Sequence, residues 1–140
     1  MESMKHYCIL FFIIVGCGCN RNDLVKYNEK MKVFGSNEIQ ALKIFDIPLT
    51  TPKDTFLVHV KDSGIYLWEE NIKILTELEK LNLPDTLHEK NKILIDYCNL
   101  RIKSYNLLYK RVEENTEMYK DSIADYDTQI RMTLYSLTEI

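Results

Sequence analysis

Glycine and proline are scarce in this chain, four and three in 140 residues, and neither occurs after Pro84. With Leu, Ile, Lys and Glu abundant, that composition favours helix. The glycines are isolated, which excludes a Gly-rich loop that cradles phosphate. Histidine is almost as rare. Beyond His6 there are only His59 and His88. No His-x-x-x-His, Cys-x-x-Cys or Glu-x-x-His spacing appears, so zinc has no ligand set. A Gly-x-Ser-x-Gly nucleophile elbow is missing too. A basic excess is also lacking. The formal net charge is −3, and nucleic-acid binding calls for a basic face. Acidic neighbours such as Glu69-Glu70 and Glu113-Glu114 read as solvated helix faces. No catalytic residue, cofactor or metal is expected, and the chain reads as a protein that is not an enzyme.

What is present starts at the N-terminus. Lys5 precedes an apolar block, Cys8-Ile-Leu-Phe-Phe-Ile-Ile-Val15, which Gly16-Cys17 closes. The block is far shorter than the ~20 residues of a permanent transmembrane helix. A basic residue, a short apolar core and a small residue at the exit form the layout of a secretory signal peptide. Ile14-Val15-Gly16-Cys17 resembles the lipobox of bacterial lipoproteins. In that family the cysteine thiolate takes a diacylglyceryl group as a thioether, and cleavage makes it the mature N-terminus. The resemblance thus implies a signal peptide over 1–16, lipidation at Cys17 and a membrane anchor. Two acyl chains hold firmly where one is marginal, at ~0.8 kcal/mol per buried methylene. Gly18-Cys19 is a second Gly-Cys pair, but Gly16 and Cys17 are poor lipobox residues ahead of it. Glu2 is out of place in a basic leader, and a start at Met4 removes it. By analogy with lipoprotein sorting, Gly18 after the cysteine points to the bacterial cell envelope, at the outer membrane.

Removing the leader changes no net charge, because Glu2 and Lys5 cancel. Cys8 leaves with it and Cys17 carries lipid. Cys19 falls in a polar tether, 17–22, and Cys98 on an apolar helical face, where it reads as a small hydrophobe.

Residues 23–140 read as a single helical domain. Asp23 is a candidate N-cap. Leu24, Tyr27, Met31 and Phe34 recur on one helical face, and Ile39, Leu42 and Phe45 resume it after Gly35. This predicts two short helices, or one kinked helix, up to about Asp46. Pro48 and Pro52 make a loop. Thr51-Pro52 then signals a second helix with Thr51 as cap. It carries Phe56, Leu57 and Val60 and, past Ser63-Gly64, Ile65, Trp68, Ile72, Leu75 and Leu78. Thr55 to Val60 alone fits a short strand as well as a helix. Leu81-Asn-Leu-Pro-Asp85 is a tight connection, with Asp85 as the next cap. From Thr86 onward an unbroken helix would be about 75 Å long. Cys98, Ile102, Tyr105, Tyr109, Val112, Thr116, Tyr119, Ile123, Tyr126, Ile130, Thr133 and Leu137 follow one another in steps of four and three, a sustained heptad. The expected fold is all-α: an elongated three-helix antiparallel bundle, or a helical hairpin with a long C-terminal helix. A register centred on Pro84 sets Arg101 near Glu70, and an Arg101–Glu70 pair is predicted.

Tyr105, Tyr109, Tyr119 and Tyr126 share the heptad face. Tyrosine serves both cores and interfaces, and a Tyr- and Thr-rich seam is wetter than a Leu- and Ile-rich one. These four residues are the candidate interaction face, for a protein partner or for self-association as a coiled coil. Leu83 to Leu137, with its Leu-Pro-Asp and Tyr-Asn-Leu-Leu-Tyr-Lys runs, resembles helical tails attached to some bacterial rhomboid-type membrane proteins. The rhomboid Gly-x-Ser-Gly motif is missing, so no catalytic residue transfers. The expected function is that of an envelope lipoprotein with a helical interaction or structural module. The alternative is a small-ligand-binding or inhibitor/immunity-type envelope lipoprotein, for which a cleft is the discriminating feature.

Overall fold

A computed structural model describes residues 20–140. The leader, Cys17 and Cys19 lie outside the described residues. Helix α1 spans Arg21–Leu42 and tightens into a 3-10 turn over Lys43–Asp46. Helix α2 is continuous in three stretches: α-helix Lys53–Val58, a π-helical stretch His59–Ile65, and α-helix Tyr66–Leu78. Helix α3 spans Asp85–Glu113 and α4 spans Lys120–Ser136. No strand occurs among the described residues, and Thr55 to Val60 is helical.

The helix starts differ from expectation by one to three residues. Asn20 caps α1, its side chain accepting from the Asn22 amide. Asp23 instead reaches across the bundle and accepts from the Asn82 amide at 3.0 Å. Pro52 and Pro84 hold the cap positions of α2 and α3, without a side-chain cap hydrogen bond. Asp85 is therefore a first-turn acid, favourable at the positive end of the helix dipole. Helix α1 runs through Gly35 because Phe34 and Glu38 are both buried on the face that continues past it. Helix α2 runs through Ser63-Gly64 by widening into the π stretch.

Helices α1, α2 and α3 form the core. The Lys30–Glu77 ion pair and the Asn71–Phe34 hydrogen bond fix α1 antiparallel to α2. Helix α3 returns antiparallel to α2, with Trp68 against Tyr97, Gly64 against Tyr105 and Glu79 against His88. That is a register centred close to Pro84. Trp68, Leu75, Leu78, Leu94, Tyr97, Cys98 and Tyr105 are all essentially without exposure.

Two expectations are corrected. The long C-terminal helix does not form as one rod, and among the described residues four helices pack together rather than three. Helix α3 stops at Glu113, Asn115 adopts φ 49°, and α4 folds back along α3. Helix α2 begins level with the end of α3, where Lys53 Nζ donates to the Glu113 carbonyl, so nothing in α2 could cover a helix that ran on beyond Glu113. Folding back gives the second half of the heptad stripe an apolar partner in its own chain, and Ile130 is buried there. The turn is built from polar residues. Arg111 forks onto both carboxylate oxygens of Glu117, and Thr116 Oγ1 accepts from the Met118 amide. Asparagine is among the few residues that enter the left-handed region at low cost. The second correction concerns Arg101. It is buried, but Glu70 pairs with Lys73 on its own helix, and Arg101 points into the core.

Candidate functional site

Three helices supply a buried polar cluster. Glu38 comes from α1, where it is 4 % exposed, and Tyr97 and Arg101 from α3, one turn apart. The Tyr97 hydroxyl donates to Glu38 Oε1 at 2.7 Å, and Arg101 Nε donates to the Tyr97 oxygen at 3.3 Å. The guanidinium lies 5.2 Å from the Tyr97 ring centre and 5.9 Å from that of Trp68, within cation–π range. Trp68 in turn meets Tyr97 and Tyr105 edge-on. Tyr105 spans the bundle, its hydroxyl donating to the Ala41 carbonyl at 3.0 Å. Asn71 donates to the Phe34 carbonyl and accepts from Asn37. From α4, Asp127 completes the electrostatics beside Arg101.

Burial sets the tone of these groups. It pushes the Glu38 carboxyl above its ordinary range, while the Tyr97 hydrogen bond and the Arg101 charge partly offset the rise. Burial likewise raises Asp127, opposed by Arg101 and Arg131, and lifts Tyr105 to about 12. The Cys98 thiol is pushed up far enough to be inert. Arg101 Nη1 has no hydrogen-bond partner. A buried charge that lacks part of its hydrogen bonding is costly. The Glu38–Tyr97–Arg101 hydrogen bonds tie α1 to α3.

A second group lies near the start of α1. His88 Nδ1 is 3.3 Å from Glu79 Oε1. The Tyr27 hydroxyl, raised to about 12 by burial and the Glu79 charge, is buried without a partner. His59 sits in the π stretch, at the other end of α2. Among the described residues no group of His, Cys, Asp and Glu is placed to hold a metal.

The surface carries a shallow, open recess of about 310 Å³ lined by Asp54, Leu57, Val58, Lys61, Asp62 and Tyr109. It borders the π stretch, and π turns inside α-helices are frequent at functional sites. Large apolar side chains stand exposed towards the same end of the bundle: Phe45, Val58, Met118 and a fully exposed Leu49.

The four tyrosines of the expected interaction face are not kept on one surface. Tyr105 is wholly in the core. Tyr109 lines the recess. Tyr119 sits in the turn before α4 and donates to Glu114 at 3.0 Å. Tyr126 is half-buried on α4. Cys17, the expected lipidation site, lies outside the described residues. No helix among the described residues is long and apolar enough to cross a membrane. The π stretch, the recess and the Glu38–Tyr97–Arg101 link went unseen in the sequence. Ser63-Gly64 within a helical pattern was the only local sign of the first.

No protein-family model, curated protein or solved structure matches the chain.

Proposed function

We propose that the protein is a lipid-anchored component of the bacterial cell envelope whose helical domain works by holding another protein. The observation that carries this reading is Ile14-Val15-Gly16-Cys17 behind a short apolar block. The start of α1 at Arg21 fits it, because an anchor at Cys17 then joins the bundle with almost no linker. The domain would stand directly on the membrane rather than float on a long leash. A protein partner is favoured over a small ligand by the shape of the recess, which is open and shallow. Small-ligand sites enclose most of their ligand. The exposed apolar residues around it are of the kind that interfaces use. The finer picture of a coiled-coil seam along the C-terminal heptad belongs to the same proposal, with α4 as its second half.

Mass spectrometry of the N-terminus of protein extracted from membranes tests the anchor. A diacylated cysteine at position 17, lost in Cys17→Ser, is the expected result. An intact leader on protein recovered without membranes would overturn it. Crosslinking from intact envelopes tests the partner, with adducts expected at Val58 and Met118.

A further inference from the structure

We infer that α4 is exchangeable between two copies of the chain: the 114–119 turn opens, α3 and α4 become one helix, and each α4 docks on the α3 of a second copy. The sequence and the structure carry this independently. In the sequence, the heptad passes through the turn without a missed step, Val112 to Thr116 to Tyr119 to Ile123, and the turn contains neither glycine nor proline. Nothing in its composition forbids helix. In the structure, the turn holds Asn115 at φ 49°, a small cost for asparagine that the straight helix does not carry and that a residue other than asparagine or glycine would feel in full.

The contacts that hold the turn closed are exposed and polar. Arg111 to Glu117 and Tyr119 to Glu114 are spaced six and five residues apart and break on straightening. A straight helix offers replacements at helical spacing, Lys110 with Glu114 and Glu117 with Lys120. Exposed pairs of this kind are worth little either way.

The docking of α4, by contrast, survives the exchange. Ile130 is buried, Leu134 and Leu137 pack on the core, and the charge of Arg101 is felt at Asp127. These contacts are the same whether the α3 beneath belongs to one copy or to the other. Exchange of an identical element is a low-cost route to a dimer, and the hinge decides the balance. The open helix would run from Asp85 to Ser136, about 78 Å, with a two-fold axis near the old turn. The occupant of the second half of the heptad face is thus a second copy. This rests on the reading of the chain as an interaction module and names its partner.

The test is light scattering on the full chain in detergent over a range of concentrations, with residue 115 varied. Asn115→Ala penalises the left-handed turn and favours helix. Asn115→Gly relieves the turn and disfavours helix. The two effects together give a factor of about thirty per hinge, and two hinges per dimer predict a dimer dissociation constant lower by about a thousandfold in Asn115→Ala than in Asn115→Gly. A monomer at every concentration in both variants overturns the inference. So does a dimer whose dissociation constant ignores residue 115, since that would use another surface. Either failure leaves a lipidated Cys17 and capture of a different protein standing, and an unmodified Cys17 leaves the exchange standing.

Discussion

Two glycines inside helices behave oppositely, and the difference is what lies beyond the missing Cβ. At Gly35 nothing lies within 4 Å of where a Cβ would stand. Gly35→Ala should therefore show only the relief of backbone entropy, a gain of about 0.5–1 kcal/mol in urea unfolding. At Gly64 a Cβ would stand 2.7 Å from Tyr105 Cδ2. That ring meets Phe45 and Trp68 edge-on, and its hydroxyl holds the Ala41 carbonyl, so it has no room to yield. Overpacking of this kind costs about 1–3 kcal/mol, more than the entropic gain, and Gly64→Ala should be net destabilised in the same assay. Equal stability of Gly64→Ala and wild type would show the ring free to move. Glu38 gives a prediction in pH. Its carboxyl is raised above 4.5 in the folded state, so the folded protein binds a proton more tightly than the unfolded chain. This group's contribution to stability is fully present below 4.5 and is lost as pH rises through the folded value. Asp127, raised above 3.8 by burial, acts with the same sign. The exposed acids Glu77 and Glu117 are lowered by Lys30 and Arg111 and act with the opposite sign, at lower pH. Thermal melts should show wild type losing stability as pH rises from 4.5 towards neutral. Glu38→Gln keeps an acceptor for Tyr97 and should flatten that slope; an unchanged slope would mean Glu38 is not its source.

At the scale of elements, what was legible in the sequence is what burial dictates repeatedly. Tyr27, Met31 and Phe34, or Trp68, Leu75 and Leu78, recur at helical spacing because each turn faces the same core, and Pro48, Pro52 and Pro84 mark the breaks. The 114–119 turn was not legible, because a heptad pattern reads the same whether the helix continues or doubles back onto itself. Glu113-Glu-Asn-Thr-Glu117 did carry a sign: Asn and Thr are weak helix formers, but apolar residues on either side kept the pattern intact. The Arg101–Glu70 pair failed for a different reason. The register was right, but an arginine stem can turn towards aromatic faces inside the bundle as readily as towards an acid at its rim. The candidate site was hardly legible at all, since the recess and the Glu38–Tyr97–Arg101 link depend on which residues three separate helices bring together. Helix α4 differs from the others in that Ile130 is its one fully buried residue, so its docking should have low local stability. Ile130→Ala, at the ~2–5 kcal/mol typical of a buried Ile truncation, should release it. Hydrogen exchange is expected to show amides of 120–136 losing protection while α1 and α2 keep theirs. Uniform loss across the molecule would instead make α4 part of one cooperative unit.

For the whole molecule, the consequence of the proposed anchor is a direction. Cys17 lies four residues before the start of α1, and the same end of the bundle holds the 79–84 connection, tied to α1 by the Asp23–Asn82 hydrogen bond. Helix α3 leaves that end and runs for 29 residues, about 44 Å at 1.5 Å per residue. With the proposed anchor and the bundle upright, the 114–119 turn would stand well clear of the bilayer, and the recess and exposed Met118 lie towards that far end. A short link cannot let the bundle invert, because four residues of extended chain span only about 14 Å. In membranes bearing the lipidated protein, a thiol at Met118→Cys should react with a bilayer-impermeant maleimide as fast as in detergent, and one at Asn82→Cys should react more slowly than in detergent. Adding Cys17→Ser should erase the difference by removing the anchor. Equal slowing at both positions would mean the bundle lies flat on the membrane. Slowing at Met118→Cys alone would place the far end, rather than the lipid end, against the surface and reverse the assignment of the partner-holding face.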